Sequence, residues 1–142
     1  MQINPYVMYN GNCEAAFNFY TQLLGTKILG LMKYGGSPAE GHVPAEMADK
    51  VLHVAMHIGE NLLMASDAPT GQFQKPQGFS VNLTVDSAAE ADRVYNALAD
   101  GGKVQMAINR TFWAERFGMV EDKFGMPWMV NYTGDVKPPH IK

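Results

Sequence analysis

Cysteine is nearly absent from this chain, because Cys13 is the only one in 142 residues. An internal disulfide and a thiolate cluster for zinc or iron–sulfur are therefore excluded, and a reducing compartment fits this composition best. The sequence has no apolar run long enough to span a membrane as a helix. Its first residues also lack the basic and then apolar pattern of a secretion signal. We therefore expect a soluble cytoplasmic protein with no membrane partner.

Runs of basic residues are missing as well. The chain has 11 Lys and Arg residues against 14 Asp and Glu residues, a net charge of −3. No stretch could neutralise several phosphates at once, so we expect no nucleic-acid partner. Gly-x-Ser-x-Gly, His-Glu-x-x-His and Walker-type motifs do not occur. Acyl transfer, zinc proteolysis and nucleotide hydrolysis therefore have no support in the sequence.

The sequence does contain an internal repeat, in which a strand-like run is followed by an amphipathic helix. The first helix begins after Asn12, a candidate N-cap, and ends at Gly25, while the second begins at Ser87 with the spacing of a capping box. Tyr20 aligns with Tyr95 at an offset of 75 residues, about half the chain length. A duplicated half-chain explains this offset, whereas a solenoid would need at least three shorter units.

Three strand-like runs follow each helix, so each half of the chain is predicted to be β-α-β-β-β. The runs are 28–34, 51–58 and 61–66 in the first half, and 104–108, 117–121 and 127–132 in the second. The predicted fold class is α+β, with module one at about 1–76 and module two at about 77–142 of a single domain. Residues 69–78 form the predicted linker, and 35–50 are either a lid or a solvated excursion without a role.

Several motifs of this sequence resemble one known superfamily. They are Asn10 to Ala15, His53, Met64 to Asp67, Thr111 to Trp113 and Asp122 to Met129. Together with the paired β-α-β-β-β modules, they resemble the PhnB-like branch of the glyoxalase/bleomycin-resistance/extradiol-dioxygenase, or vicinal oxygen chelate, superfamily. The resemblance implies a curved mixed sheet with the helices on its convex face, a ligand cup on its concave face, and a homodimer.

The resemblance also implies a divalent metal held by one residue from each of four strands. In this sequence those positions fall on Pro5, Met64, Ser80 and Met129. Proline has no side-chain donor, and hard or borderline cations prefer imidazole and carboxylate to thioether. We therefore expect no metal cofactor, unless displaced ligands hold one; the candidates for that role are His53, His57, Asp67 and Glu121.

Strand alternation predicts which side chains share the cup. If Ser80 faces it, Asn82 does too. A two-residue turn at Gly59 and Glu60 pairs Ala55 with Met64, which places His53 and His57 on the face of Met64. These two histidines are about 13 Å apart along a strand, too far to bind one ion together.

Some side chains have two open interpretations. His53 either makes a structural hydrogen bond or contacts a ligand. Trp113 and Arg116 either fix a planar anion at the rim of the cup, or respectively fill the core and pair with an acid. For Asp67 we expect a turn cap, for Trp128 a core position, and for Cys13 an inert thiol.

Two functions are compatible with these residues. The first is metal-independent binding of a small molecule, for which the candidate contacts are His53, His57, Met64, Ser80, Asn82, Trp113 and Arg116. The alternative is a lyase, isomerase or related enzyme that uses His53 as a general base, or a metal held by displaced ligands. We assign no role to His42 or His140.

Overall fold

The computed structural model describes residues 1–137. The chain divides into two compact units, Met1–Pro76 and Gln77–Lys142. His140, to which the sequence gives no role, lies outside the described residues.

The first unit is a four-stranded mixed sheet with one helix. Its elements are β1 (Tyr6–Tyr9), α1 (Cys13–Leu24), β2 (Ile28–Lys33), β3 (Val51–Ile58) and β4 (Asn61–Asp67). The strand order is β1-β4-β3-β2, in which β1 and β4 are parallel and the other pairs are antiparallel. This is the predicted β-α-β-β-β module.

The second unit repeats this arrangement. Its elements are β5 (Val81–Thr84), α2 (Ala88–Ala99), β6 (Lys103–Asn109), β7 (Arg116–Glu121) and β8 (Pro127–Tyr132). The order is β5-β8-β7-β6, again with one parallel pair, β5 and β8. The α+β class with two tandem modules is therefore confirmed.

The core of each unit lies between its helix and one face of its sheet. In the first unit, Phe17 and Tyr20 of α1 and Val54 and Leu63 of the sheet are each at most 1% exposed. In the second unit the fully buried Trp128 donates its indole N–H to Asp122 Oδ2 at 2.8 Å. The predicted core position of Trp128 is therefore confirmed.

Two of the three helix ends that the sequence predicts agree with the structure. Gly25 has the left-handed φ of 66° that ends α1, and Ser87 Oγ accepts the N–H of Glu90 at the start of α2. At the start of α1, however, Asn12 makes no side-chain cap. A carboxylate from β4, Asp67, lies there instead.

Residues 35–50 contain two single-turn 3-10 helices, Glu40–His42 and Ala45–Met47. The buried Met47 anchors the segment, and Gly35 N–H donates to the Ala48 carbonyl at 2.9 Å. A cavity of about 270 Å³ lies within it, lined by Glu40, Val43, Pro44, Ala45 and Ala48. Closure of this segment over a ligand stays a prediction.

Candidate functional site

The open face of the first sheet carries the predicted histidines. The register pairs Ala55 with Met64 and His57 with Leu62, as the turn at Gly59 predicted. Because side chains alternate along a strand, His53 and His57 lie on the Met64 face, opposite the residues that pack on α1. Met64 and His53 are half-buried there, and His57 is exposed.

One position on this face differs from the prediction. Tyr6, and not Pro5, is the parallel partner of Met64. Pro5 precedes β1 and contributes its carbonyl, which accepts the N–H of Met64. The expected position at Pro5 is therefore one residue too early in the strand. Tyr6 is therefore a residue of the face that the sequence reasoning missed.

Four side chains form a hydrogen-bonded chain on this face, which we call the Tyr6 cluster: His53, Tyr6, Ser66 and Met8. The Tyr6 hydroxyl lies 3.1 Å from His53 Nδ1 and 3.0 Å from Ser66 Oγ. Ser66 Oγ donates to Met8 Sδ at 3.4 Å. The Tyr6 and His53 rings are stacked, with centroids 5.7 Å apart and planes 30° apart. The structure thus gives His53 a specific partner, Tyr6.

The open face of the second sheet carries the other candidates. Asn82 pairs with Met129, and its amide donates to Thr84 Oγ1 at 3.3 Å. Ser80 lies just before β5 and is half-buried. Trp113 is also half-buried, with its ring 5.1 Å from that of Phe117. Phe117 lies on the same face, because Phe117 and Thr84 both pair with Asn131 of β8. Trp113 therefore packs against one end of this face.

Arg116 lies on the helix side of the second sheet, opposite Phe117. Its Nε is 3.3 Å from Asp92 Oδ1 on α2, and its Nη1 donates to the Glu115 carbonyl at 3.0 Å. The structure thus has the pairing of Arg116 with an acid that the sequence left open. A ligand contact from Arg116 on the Asn82 face does not agree with this placement.

Asp67 has the structural role expected of it, but at a different place. Its Oδ1 accepts the N–H of Cys13 at 3.0 Å, and its Oδ2 accepts the N–H of Val51 at 2.9 Å. The carboxylate is only 1% exposed. It therefore joins the start of α1 to the start of β3 rather than capping its own turn.

Cys13 is a buried thiol at the start of α1. Burial, followed by the nearby charges of Asp67 and Glu14, raises the pKa of the Cys13 thiol far above its usual range. The residue is fully buried, so it is both inaccessible and protonated at neutral pH. This agrees with the expected inert thiol.

The donor set does not fit the metal site of the superfamily. At the register positions on the open faces, Tyr6 stands beside Met64 and Asn82 beside Met129. Thioether and neutral amide are poor ligands for hard or borderline divalent cations. Among residues 1–137, no group of three or more His, Cys, Asp or Glu side chains could hold an ion. Asp67 points to the helix side of its sheet, so it cannot join His53 as a displaced ligand.

Comparison with known proteins identifies the family. A family model described as 3-demethylubiquinone-9 3-methyltransferase matches residues 1–131. The chain belongs to this PhnB-like family. Protein YjdN of Escherichia coli (strain K12) is 34% identical over 139 residues, which cover 92% of this chain and 95% of that protein.

Two solved structures are similar to this chain over more than nine-tenths of its length. Protein PA1353 from Pseudomonas aeruginosa is 47% identical, with a TM-score of 0.85 over 93% of this chain and 97% of that one. A structure described as a putative 3-demethylubiquinone-9 3-methyltransferase, PhnB protein, from Bacillus cereus is 24% identical, with a TM-score of 0.78 over 93% and 99% of the two chains.

A more distant likeness shows the fold of this PhnB-like chain. A glyoxalase/bleomycin resistance protein/dioxygenase family enzyme from Burkholderia phytofirmans PsJN has a TM-score of 0.62 at 14% identity, over 90% of this chain and 94% of that one. The resemblance predicted from the motifs is therefore confirmed at the level of family and fold. Within the described part of the chain, no helix is both long and apolar enough to cross a membrane.

Proposed function

We propose that this PhnB-like protein binds a small organic molecule without a metal, and that the Tyr6 cluster is its main recognition site. The observation that carries the proposal is the hydrogen-bonded chain from His53 through Tyr6 to Ser66. Polar side chains of this kind, fixed on a rigid sheet among apolar neighbours, are typical of small-molecule sites.

The neighbours of the cluster supply apolar contact. Met32 pairs with His53 across β2 and β3 and is 53% exposed, while Tyr6 is 45% exposed. Met64 is half-buried next to Tyr6. Thioethers are flexible and polarizable, so they adapt to a ligand and make favourable contacts with rings. Contacts from His57, Ser80, Asn82 and Trp113 stay part of the proposal.

We do not propose methyl transfer, although the family is described as a methyltransferase family. A nucleotide-like methyl donor commonly binds at a Gly-x-Gly-type turn that connects a strand to a helix. The turn between β1 and α1 is Asn10-Gly11-Asn12, and the turn between β5 and α2 is Val85-Asp86-Ser87. Neither has that pattern.

A ligand screen on chelator-treated protein tests the proposal. A compound present at 100 times its dissociation constant stabilises the folded state by about 2.7 kcal/mol, which raises Tm on the order of 5 to 10 °C. We expect at least one compound of a metabolite library to do so without added metal. Stabilisation that requires a divalent ion would overturn the proposal.

Variants assign the binding to the cluster. Tyr6→Phe keeps the ring and removes the hydroxyl that links His53 to Ser66, so we expect roughly fivefold weaker binding or more. The matched control is Tyr132→Phe, because Tyr132 pairs with Arg116 on the helix side of the second sheet. Equal loss in both variants would show that the cluster is not the site.

A second candidate function is an enzyme in which His53 is a general base. It is favoured by the contact of His53 Nδ1 with Tyr6, because catalytic histidines are oriented by a partner on one ring nitrogen while the other acts. On an identified substrate, His53→Gln should lower turnover at least about 100-fold with an unchanged circular dichroism spectrum. Full activity in that variant would exclude this function.

We also propose that the protein is a homodimer. Leu29 on the edge strand β2, and Val104 and Met106 on the edge strand β6, are large apolar side chains that are each at least 42% exposed. Edge strands with such residues are commonly covered by another chain. Sedimentation at micromolar concentration should give twice the chain mass of 15.6 kDa. Particles of the monomer mass alone would refute the dimer.

A further inference from the structure

The hydrogen bonds of the Tyr6 cluster have one order of donors that uses every contact. The Ser66 hydroxyl has a single hydrogen, which it donates to Met8 Sδ. Ser66 Oγ can then only accept in its contact with Tyr6, so the Tyr6 hydroxyl donates to it. The Tyr6 oxygen in turn accepts from His53, which requires a hydrogen on His53 Nδ1.

This order determines the tautomer of His53. A neutral imidazole carries one N–H and one lone pair, so a hydrogen on Nδ1 leaves the lone pair on Nε2. Nδ1 is occupied by Tyr6, and Nε2 is therefore the ring nitrogen that is left for a ligand. While the ring is neutral, Nε2 accepts a hydrogen bond and has no hydrogen to donate.

The surroundings of His53 favour a flat, apolar ligand body. The His53 ring is stacked with Tyr6, and Met32 lies beside it on β2. Aromatic rings stack on aromatic side chains and make favourable contacts with thioether sulfur. The exposed parts of Tyr6 and Met32 are the contact area for such a ring.

We infer that the Tyr6 cluster binds hydroxyl-bearing aromatic molecules, that is phenols, whose O–H donates to His53 Nε2 while the ring contacts Tyr6 and Met32. This inference rests on the proposed function and assigns the ligand class to the same site. It also makes a prediction that needs no ligand, because Tyr6 must hold His53 in the tautomer with the hydrogen on Nδ1.

The tautomer is measured by side-chain nitrogen NMR on the full chain at about pH 8.5, above the ordinary titration range of histidine. His53→Gln identifies the His53 signals by their loss. We expect the Nδ1–H pattern in the wild type and in Tyr132→Phe, and a shift towards Nε2–H in Tyr6→Phe, where the acceptor oxygen is gone. An Nε2–H pattern in the wild type would overturn the inference.

The ligand class is tested with two matched probes, 2-naphthol and 2-methoxynaphthalene, which share a ring system but differ in the O–H. We expect 2-naphthol to bind roughly tenfold more tightly, and Tyr6→Phe to reduce that preference. Equal affinities would overturn the phenol assignment and leave metal-independent binding intact. Failure of both probes would also overturn it, and the library screen on chelator-treated protein would then decide the proposed function separately.

Discussion

The replacement of Asp67 by asparagine tests the buried link between α1, β3 and β4. Both carboxylate oxygens of Asp67 accept backbone N–H groups, from Cys13 at 3.0 Å and from Val51 at 2.9 Å. Asparagine has the same shape but only one acceptor oxygen, so its NH₂ group would face one of these N–H donors. One buried donor would be left without a partner, and the favourable charge at the start of α1 would be lost.

The expected cost follows from this geometry. A hydrogen bond to a charged group contributes about 1.5 to 3 kcal/mol, and a buried unpaired donor costs a similar amount. We therefore expect Asp67→Asn to lower the free energy of unfolding by about 3 kcal/mol, and Tm by on the order of 10 °C. Urea unfolding followed by circular dichroism measures the first, and a thermal scan the second.

A control and a local readout complete this test. Asp49→Asn removes the same charge from an exposed position, so it should change stability by less than about 0.5 kcal/mol. In Asp67→Asn, hydrogen exchange should accelerate most at the amides of Cys13 and Val51. A loss below about 1 kcal/mol, or a loss no larger than that of the control, would show that Asp67 does not hold α1 and β3 in this way.

Three further predictions follow from the packing of the core. Gly118→Ala should lower the free energy of unfolding by about 1 to 3 kcal/mol, because a Cβ there would lie 2.6 Å from the ring of Tyr95. Gly30→Ala is the control and should be nearly neutral, because no atom lies within 4 Å of its Cβ position. Equal effects of the two variants in urea unfolding would contradict this prediction. Cys13 should react with a thiol reagent only as fast as the chain unfolds, and rapid labelling of folded protein would show that the thiol is accessible. The free energy of unfolding should be constant from neutral pH to about pH 8.5 and fall above it. Burial raises the pKa values of Cys13, Tyr34 and Tyr95, so the unfolded chain releases these protons at lower pH than the folded chain does. A free energy of unfolding that stays flat or rises up to about pH 10.5 would contradict this prediction.

Much of the fold could be predicted because its signals are local. Period-two alternation, the Gly59 turn and the glycine that ends α1 each depend on a few neighbouring residues, and all three are confirmed. The register of β3 on β4 followed from the turn alone, because a two-residue turn leaves one way to pair the strands. These signals do not require knowledge of distant segments.

The parts of the site that depend on distant residues could not be predicted in the same way. Asp67 reaches Cys13, which is 54 residues away in sequence, and no local pattern predicts that contact. Tyr6 was missed because the strand and the helix of the repeated module differ by one residue in their offset. A one-residue shift moves a side chain to the other face of a sheet, so Pro5 was placed where Tyr6 lies. The partner of Arg116, likewise, depends on how α2 packs on β7.

Elemental analysis is the sharpest test of whether this PhnB-like site works without a metal. The protein would be purified without a histidine tag and without chelator, and its zinc, nickel, manganese and iron measured per chain. We expect far less than one equivalent of any of them, because Met64 stands beside Tyr6 and Met129 beside Asn82 at the positions where metal ligands would be needed. About one bound equivalent of a transition metal per chain would contradict it.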